Sequence, residues 1–367
     1  MSFMLPSALT DHVSLADVVP SCFRALGWGF PQARLDLPQA ETIVLVVVDG
    51  LGLANVESSS AYLRFIAPAV SRGFSLQTVF PSTTACALAT LVTGTPPVEH
   101  GIVGYRIWDE GQEQFVNQLN GLSPAQVDAG WMTRPSLLNQ AVIDGHNVYV
   151  VGHPRFAHST LTRMLYGKAT YIGSASMEDK FSMTADLVTS GSSGLYVVYI
   201  SDLDEAAHRE GVASNSWLAL AEELDAQLKR FVARIAGSAV TLLTADHGVV
   251  DVPLTHHREF GLDGELLGVK DIGGEPRGLQ IKLDGSLPAL DVLARWRAIH
   301  SDYSYIDLRE AFGFGGSSRA GEIFVMPFEG NVFYDGREPT SSARKMVGQH
   351  GGISAAEINI PLAVWDS

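Results

Sequence analysis

Three apolar stretches of this chain each deliver acid or imidazole side chains at their ends. Thr42–Gly52, TIVLVVVDGLG, runs straight into Asp49 ahead of Gly50 and Gly52. Leu195–Ile200, LYVVYI, delivers SDLDEAAHREG, in which Asp204 and His208 stand four residues apart and share one face of a helical turn. Ala239–Thr244 ends in Ala245-Asp246-His247-Gly248, a tight turn from which both side chains can reach the strand's end. His350, between Gln349 and Gly351-Gly352, can supply one more group. Carboxylate oxygen with imidazole nitrogen and no thiolate favours Zn2+, Mn2+ or Fe over soft metals or structural sites. Three Asp and three His are about enough for two metals with open positions. A metal pair suits hydrolysis at phosphorus, because it clamps the attacking and leaving oxygens.

Thr84 is the candidate nucleophile. Pro81-Ser82-Thr83-Thr84 opens the run ACALATLVTG, and Ser or Thr ahead of an Ala- and Leu-rich run marks a helix start. Thr84 then lies in or beside the first turn, where free N–H groups and the helix dipole favour an anion. A threonine hydroxyl needs a base or a metal to lower its pKa. No Ser-His-Asp arrangement announces itself and there is no G-x-S-x-G elbow, so metal activation is the natural route. Singly, each of these residues also has a structural reading: Asp49, the Asp-His-Gly turn and Thr84 as helix caps, Asp204 with His208 as a surface pair, His350 as a loop histidine. Their recurrence after separate apolar strands is what sets them apart.

The elements that must position these groups follow from the pattern. A short Val-rich run bounded by Gly reads as a strand buried on both faces, and open α/β sheets bind ligands at the carboxyl ends of their strands. Strands are expected at about 42–48, 74–80, 147–151, 195–200, 239–244, 279–283 and 322–326, with a final apolar strand at the C-terminus. Helices are expected after Thr84 and near 136–143, 214–235 and 288–300. This alternation makes the fold α/β, a largely parallel central sheet flanked by helices. Residues 1–40, broken by Pro20, Pro31 and Pro38, read as a polar, amphipathic lead-in. Loop-rich text at about 101–173 and the polar, glycine-rich stretch 249–277 suit cap or flap insertions on a single domain spanning 1–367.

Composition bounds the function. The chain has 367 residues, 46% of them apolar, so a sizeable core can be buried. A net charge of −15 argues against broad binding to nucleic-acid polymers or anionic membranes, though bound cations would invert the local field for an anionic substrate. Cys22 and Cys86 form no CxxC and give no disulfide framework. Neither a signal peptide nor an apolar run of about 18 residues is read, so a soluble cytoplasmic protein is expected. Weaker signals do not change the reading. Gly313–Ser318, GFGGSS, lacks the Lys of a phosphate loop. His256-His257 reads as solvated, and His100, Tyr105, His153 and Arg155 are possible cleft residues.

Together the motifs VVVDGLG, FPSTTACALATLVTGTPPVEHGIVG, YISDLDEAAHREG, LLTADHG and VGQHGG, in that order from Val46 to Gly352, resemble the alkaline phosphatase superfamily, and within it the type I phosphodiesterase/nucleotide pyrophosphatase family. In that family the nucleophile lies ten residues before the glycine of a Thr-Gly pair, and counting back from Gly94 lands on Thr84. The resemblance implies an alkaline-phosphatase-like fold. It implies one metal held by Asp49, Thr84, Asp246 and His247, and a second held by Asp204, His208 and His350, most simply both Zn2+ with Mn2+ as the alternative. It implies attack by Thr84 alkoxide on phosphorus, a phospho-threonine intermediate, and its hydrolysis by water. A sulfatase pattern would need Cys at position 84 and Arg where Leu88 stands. Where nucleotide pyrophosphatases of the family place an Asn to hold a phosphate oxygen, this sequence has Tyr105, whose OH can donate a similar bond. The expected function is a two-metal phosphodiesterase or pyrophosphatase acting on a small phosphate ester or nucleotide-like substrate. A monoesterase, a phosphonate hydrolase and a catalytically silent metal-binding module are the alternatives.

Overall fold

The computed structural model describes residues 12–30, 33–328 and 330–366; the first eleven residues of the lead-in and its break at Pro31 lie outside them. The run TIVLVVV forms a strand over Thr42–Val48 (β1), and all seven of its residues are buried, as a strand with neighbours on both sides and cover on both faces requires. The further strands are β2 (Phe74–Gln77), β3 (Arg106–Asp109), β4 (Gln114–Asn117), β5 (Val148–Gly152), β6 (Thr170–Gly173), β7 (Gly194–Ile200), β8 (Val240–Thr244), β9 (Val250–Asp251), β10 (His257–Phe260), β11 (Val269–Glu275), β12 (Gly278–Leu283), β13 (Ser304–Leu308), β14 (Ile323–Pro327), β15 (Val332–Asp335), β16 (Gly348–Gln349) and β17 (Asn359–Trp365).

Seven strands make the central sheet, in the order β2-β17-β8-β1-β7-β5-β6. β1 is parallel to β7 and to β8, and β5 is parallel to β7 and β6. β17 runs antiparallel to both of its neighbours, β8 and the edge strand β2. The sheet is therefore largely parallel, and the parallel pairing aligns the carboxyl ends. Val48 sits opposite Ile200, and Val47 opposite Thr244. That register carries Asp49 and Asp246 past the sheet edge side by side.

Helices cover the sheet. Thr84–Thr93 is buried along almost its whole length, which explains its Ala-rich sequence: small side chains let a helix pack closely. Asn215–Arg234 turns Trp217, Leu224, Leu228 and Phe231 inward, the amphipathic pattern of a surface helix; its one buried carboxylate, Asp225, accepts the N–H groups of Phe65 and Ile66. No helix of the described residues is long and apolar enough to cross a membrane.

The two stretches expected as caps carry regular structure. Residues 101–173 hold the β3–β4 hairpin and also β5 and β6 of the central sheet. Residues 249–277 hold β9, β10 and β11, and β11 opens a four-stranded antiparallel sheet, β11-β12-β14-β13. This second sheet packs on its own core of Ile281, Val292, Trp296, Val325 and Phe333. Glycines hid β11 from the pattern. A Cβ on Gly273 would lie 2.1 Å from the Phe115 ring, so a strand position that ordinarily carries a side chain must be glycine for the β3–β4 hairpin to approach.

Candidate active site

Asp49 follows β1 with its N–H on the carbonyl of Ile200 (2.9 Å), which fixes the turn out of the sheet. Gly50 then takes φ +74°, and a Cβ there would meet Asp204 Oδ1 at 3.0 Å and Val249 at 2.8 Å. Only glycine lets the three loops close on one point. The N–H of Gly50 donates to Asp246 Oδ1 at 3.2 Å, as does the N–H of His247 at 3.0 Å. The three strand ends thus meet as the sequence pattern anticipates.

His247 stands at the centre. Its Nε2 is 3.4 Å from Asp49 Oδ1, 3.6 Å from Asp246 Oδ2 and 3.2 Å from Thr84 Oγ1. Thr84 is the first residue of its helix, after an extended N-cap residue, Thr83, and its half-buried hydroxyl faces the cleft. Asp204 and His208 meet through Oδ2 and Nε2 at 3.1 Å. The His350 ring stacks on His247 and lies 5.1 Å from His208.

Two features fit this set to cations. Asp49 Oδ1, Asp204 Oδ1 and Asp246 Oδ2 are buried without a hydrogen-bond partner, which is costly for a carboxylate unless a cation takes them. All three imidazoles also turn Nδ1 to a backbone carbonyl: His208 to Gly348 (2.8 Å), His350 to Ser82 (3.0 Å) and His247 to Gly248 (3.3 Å). That bond selects the tautomer with a bare Nε2, the arrangement that orients a metal-ligating histidine. The ligand atoms of Asp204, His208 and His350 lie within 4.8 Å of one another, and so do those of Asp49, Asp204 and His247. Asp204 belongs to both groups.

The electrostatics agree with the geometry. Burial, then the charges of Asp246 and Asp204, push the Asp49 carboxyl well above its usual range. Burial and the Asp204 charge raise Asp246 to about 7. Burial alone would raise Asp204 too, but the imidazoles of His208, His350 and His247 outweigh it and hold the carboxyl low. Burial lowers His247 to about 4 and, with His247 beside it, His350 to about 3. Carboxylates crowded against the neutral imidazoles of His247 and His350 form a site that favours added positive charge.

Several partners were not legible as functional residues. Ser82 ties the Thr84 loop to the His350 loop: its Oγ donates to the Gly352 carbonyl (2.9 Å) and accepts the Gly351 N–H (3.2 Å). The Tyr199 hydroxyl donates to Asp49 Oδ2; a tyrosine in an otherwise aliphatic strand end was the available signal. Glu275, at the end of β11, enters the cleft with Oε2 3.7 Å from His350 Nδ1, and burial, then the Glu357 charge, hold its carboxyl well above the usual range. Behind it Arg277 forms a buried ion pair with Glu357 (2.5 and 3.0 Å), and Glu357 accepts the Gly352 N–H at 2.8 Å.

Of the possible cleft residues, Tyr105 and Arg155 line a cavity of about 460 Å³ together with Thr84, Asp204 and His350. Arg155 is engaged by Glu205. His100 is instead a core residue, bonded to Thr90 Oγ1 (2.8 Å) and the Ile102 N–H (3.1 Å). His153 caps a short turn through Nδ1 and the Arg155 N–H. His256 bonds the Gly330 carbonyl, away from the cleft. Gly313–Ser318 forms a turn fastened by Arg309 to the Ser317 carbonyl, with Phe314 packed on Phe324.

The model of the type I phosphodiesterase/nucleotide pyrophosphatase family matches residues 43–353. Among curated proteins no sequence match is found. Among solved structures the fold is similar to human ectonucleotide pyrophosphatase/phosphodiesterase 5, at 17% identity over 89% of this chain and 88% of that one, with a TM-score of 0.70. It is similar to phosphonoacetate hydrolase from Sinorhizobium meliloti 1021 in complex with phosphonoformate, at 17% identity, 89% and 90% coverage and a TM-score of 0.68. It is also similar to an inactive threonine-to-alanine variant of the murine pyrophosphatase/phosphodiesterase 5 in complex with AMP, at 17% identity, 88% and 87% coverage and a TM-score of 0.66. At that identity the likeness speaks for the fold.

Proposed function

The chain belongs to the type I phosphodiesterase/nucleotide pyrophosphatase family of the alkaline phosphatase superfamily, hydrolases of phosphoric ester or anhydride bonds, and from that premise we propose that Thr84 is the nucleophile of a two-metal phosphodiesterase. The observation that carries this reading is the position of Thr84 Oγ1 at a helix N-terminus, 3.2 Å from His247 Nε2. The inactive threonine-to-alanine variant of the murine relative supports a threonine in that role.

Asp49, Thr84, Asp246 and His247 would hold one divalent cation and Asp204, His208 and His350 the other, with Zn2+ the first choice and Mn2+ the second. Asp204 lies near enough to the first set to contribute to it. When bound there, divalent cations would supply Lewis acidity, lowering the pKa of the Thr84 hydroxyl and offsetting charge on the phosphoryl oxygens. Thr84 Oγ then attacks phosphorus in line; its bond to phosphorus forms as the bond to the leaving oxygen breaks, leaving the phosphoryl group on Thr84. Water then attacks that phospho-threonine from the face the leaving group vacated, opposite Thr84 Oγ; the bond from Oγ to phosphorus breaks, and the threonine oxygen regains a proton from the water. The helix N-terminus behind Thr84 places backbone N–H dipoles where the negative charge develops.

The cleft favours a diester. Among the described residues the one Arg or Lys side chain lining it, Arg155, is already paired with Glu205, so none of them offers an uncommitted guanidinium or ammonium to the second charge of a monoester or a small phosphonate. The wall away from the ligand cluster is apolar, built from Leu88, Val150, Leu161, Leu165 and Phe156, and suits an uncharged aromatic or apolar arm. Metal-loaded turnover of bis-p-nitrophenyl phosphate, p-nitrophenyl phosphate and p-nitrophenyl phenylphosphonate tests this. The diester is expected to be the preferred substrate; a monoester preference would refute the diesterase reading.

A further inference from the structure

Tyr105 and Asn117 face each other at the open end of the β3–β4 hairpin, where the Gln118 N–H donates to the Tyr105 carbonyl at 2.9 Å. The Asn117 amide has its orientation dictated. Oδ1 accepts the backbone N–H groups of Leu119 (2.9 Å) and Asn120 (3.3 Å), a local side-chain turn of the kind Asn favours. Flipped end for end, the amide would set its NH2 against two donors. Nδ2 therefore faces the phenol, and donates to Tyr105 Oη at 2.7 Å. A phenol oxygen has acceptor capacity and a single proton. With its acceptor side engaged by Asn117, the Tyr105 proton is left to donate, and no acceptor for it stands among the described residues. The same ring borders the cleft that holds Thr84 and His350.

We propose that Asn117 is a positioning residue that makes Tyr105 a donor to a phosphoryl oxygen of the bound substrate. The inference rests on the phosphoryl-hydrolase reading of this cleft and adds to it a residue that never touches substrate. A free tyrosine hydroxyl both donates and accepts, whereas the non-bridging oxygens of a phosphate diester only accept. Turning the acceptor side of Oη away removes the wrong orientation before the substrate arrives, which is preorganisation. The turn itself needs only Oδ1 of Asn117, so the Nδ2 bond to Tyr105 is free to serve this purpose.

Asn117→Asp is the discriminating variant. It keeps an oxygen for the Leu119 and Asn120 N–H groups and replaces the donor facing Tyr105 with an acceptor, so the phenol turns its proton to residue 117. Two readouts are taken on the metal-loaded protein: calorimetric affinity for inorganic phosphate, and kcat/KM for bis-p-nitrophenyl phosphate. Asn117→Asp and Tyr105→Phe should each lose about ten- to a hundredfold in both, the scale of one hydrogen bond to a charged group, with metal content and Tm unchanged. In the Tyr105→Phe background the further loss from Asn117→Asp should shrink to less than about threefold, because coupled residues are not additive. Should Asn117→Asp fold poorly, Asn117→Ser, which can still close the turn but is too short to reach the phenol, should show the same dependence on Tyr105. Wild-type phosphate affinity in the Asn117 variants overturns the proposal, as does a loss undiminished by Tyr105→Phe, or a wild-type protein that binds no phosphate. Phosphate binding without diester turnover in the wild type would count against the hydrolytic reading alone, and the phosphate affinities would still decide the role of Asn117.

Discussion

The imidazole rings of His247 and His350 stack with centroids 3.8 Å apart and planes inclined by 16°, joining one ligand group to the other. Two protonated rings could not lie so close, and burial lowers both well below the ordinary histidine range. Each therefore offers a bare Nε2 at neutral pH. Asp204 belongs to both candidate ligand groups, so the two proposed cation positions share a carboxylate.

Metal removal should act on stability as well as on activity. A chelator is expected to abolish turnover, with recovery on adding Zn2+ or Mn2+. It should also lower the urea midpoint, since a ligand at a hundred times its Kd stabilises the folded state by about 2.7 kcal/mol. Unfolding curves with and without chelator check this, and identical curves together with chelator-indifferent turnover would contradict it.

Because it is shared, Asp204 should matter to both cations. Asp204→Asn is expected to leave less than half the wild-type metal per chain, whereas His350→Gln should remove chiefly the cation of its own group. Metal analysis of the purified variants distinguishes the two, and equal losses would show that Asp204 is not shared.

Tyr199 orients Asp49 through its hydroxyl. Tyr199→Phe keeps the packing and removes only that donor, so it should weaken metal affinity by about 10- to 100-fold, as loss of an outer partner of a ligand does, with Tm nearly unchanged. A competition titration against a chelating dye measures it.

Arg277 and Glu357 are both fully buried, and Glu357 holds the loop that carries His350. Arg277→Met should cost about 3–5 kcal/mol, because it strands a buried carboxylate. Arg277→Met/Glu357→Leu should recover much of that in denaturant unfolding, with the His350 loop still impaired in metal binding.

His100 makes stability depend on pH. Burial lowers its imidazole from 6.5 to about 3, so between those values the proton binds the unfolded chain and not the folded one. The stability it contributes is complete above pH 6.5 and is lost as pH falls from there towards 3, at about 1.4 kcal/mol per pH unit. His100→Gln should flatten the slope of unfolding free energy between pH 6 and 4 by about that amount.

Much of this site could be read in the sequence because its information is local. An apolar Val-rich run followed by Asp-Gly places Asp49, and Thr-Ala-Cys-Ala after Pro-Ser-Thr places Thr84 at a helix start. Parallel pairing, which the β-α alternation implies, then brings the strand ends together. The partners that tune those groups were not legible, because their contacts span the chain. Tyr199 reaches Asp49 across 150 residues, and the Ser82 carbonyl meets His350 across 268. Glu275 was hidden for another reason: the glycines of β11 look like a loop, yet they make room for Phe115 and deliver a carboxyl to the cleft. Asn117 reads as an ordinary turn residue until its free amide nitrogen is seen on Tyr105.

The central claim is that Thr84 carries the phosphoryl group between attack and release. The most direct test is acid quenching of metal-loaded protein during turnover of bis-p-nitrophenyl phosphate, followed by peptide mass spectrometry, with Thr84→Ala in parallel. A phosphoryl adduct on Thr84, absent from an inactive but metal-replete Thr84→Ala protein, is the predicted result. Near-normal turnover by Thr84→Ala with both cations bound, or an adduct on another residue, would contradict it.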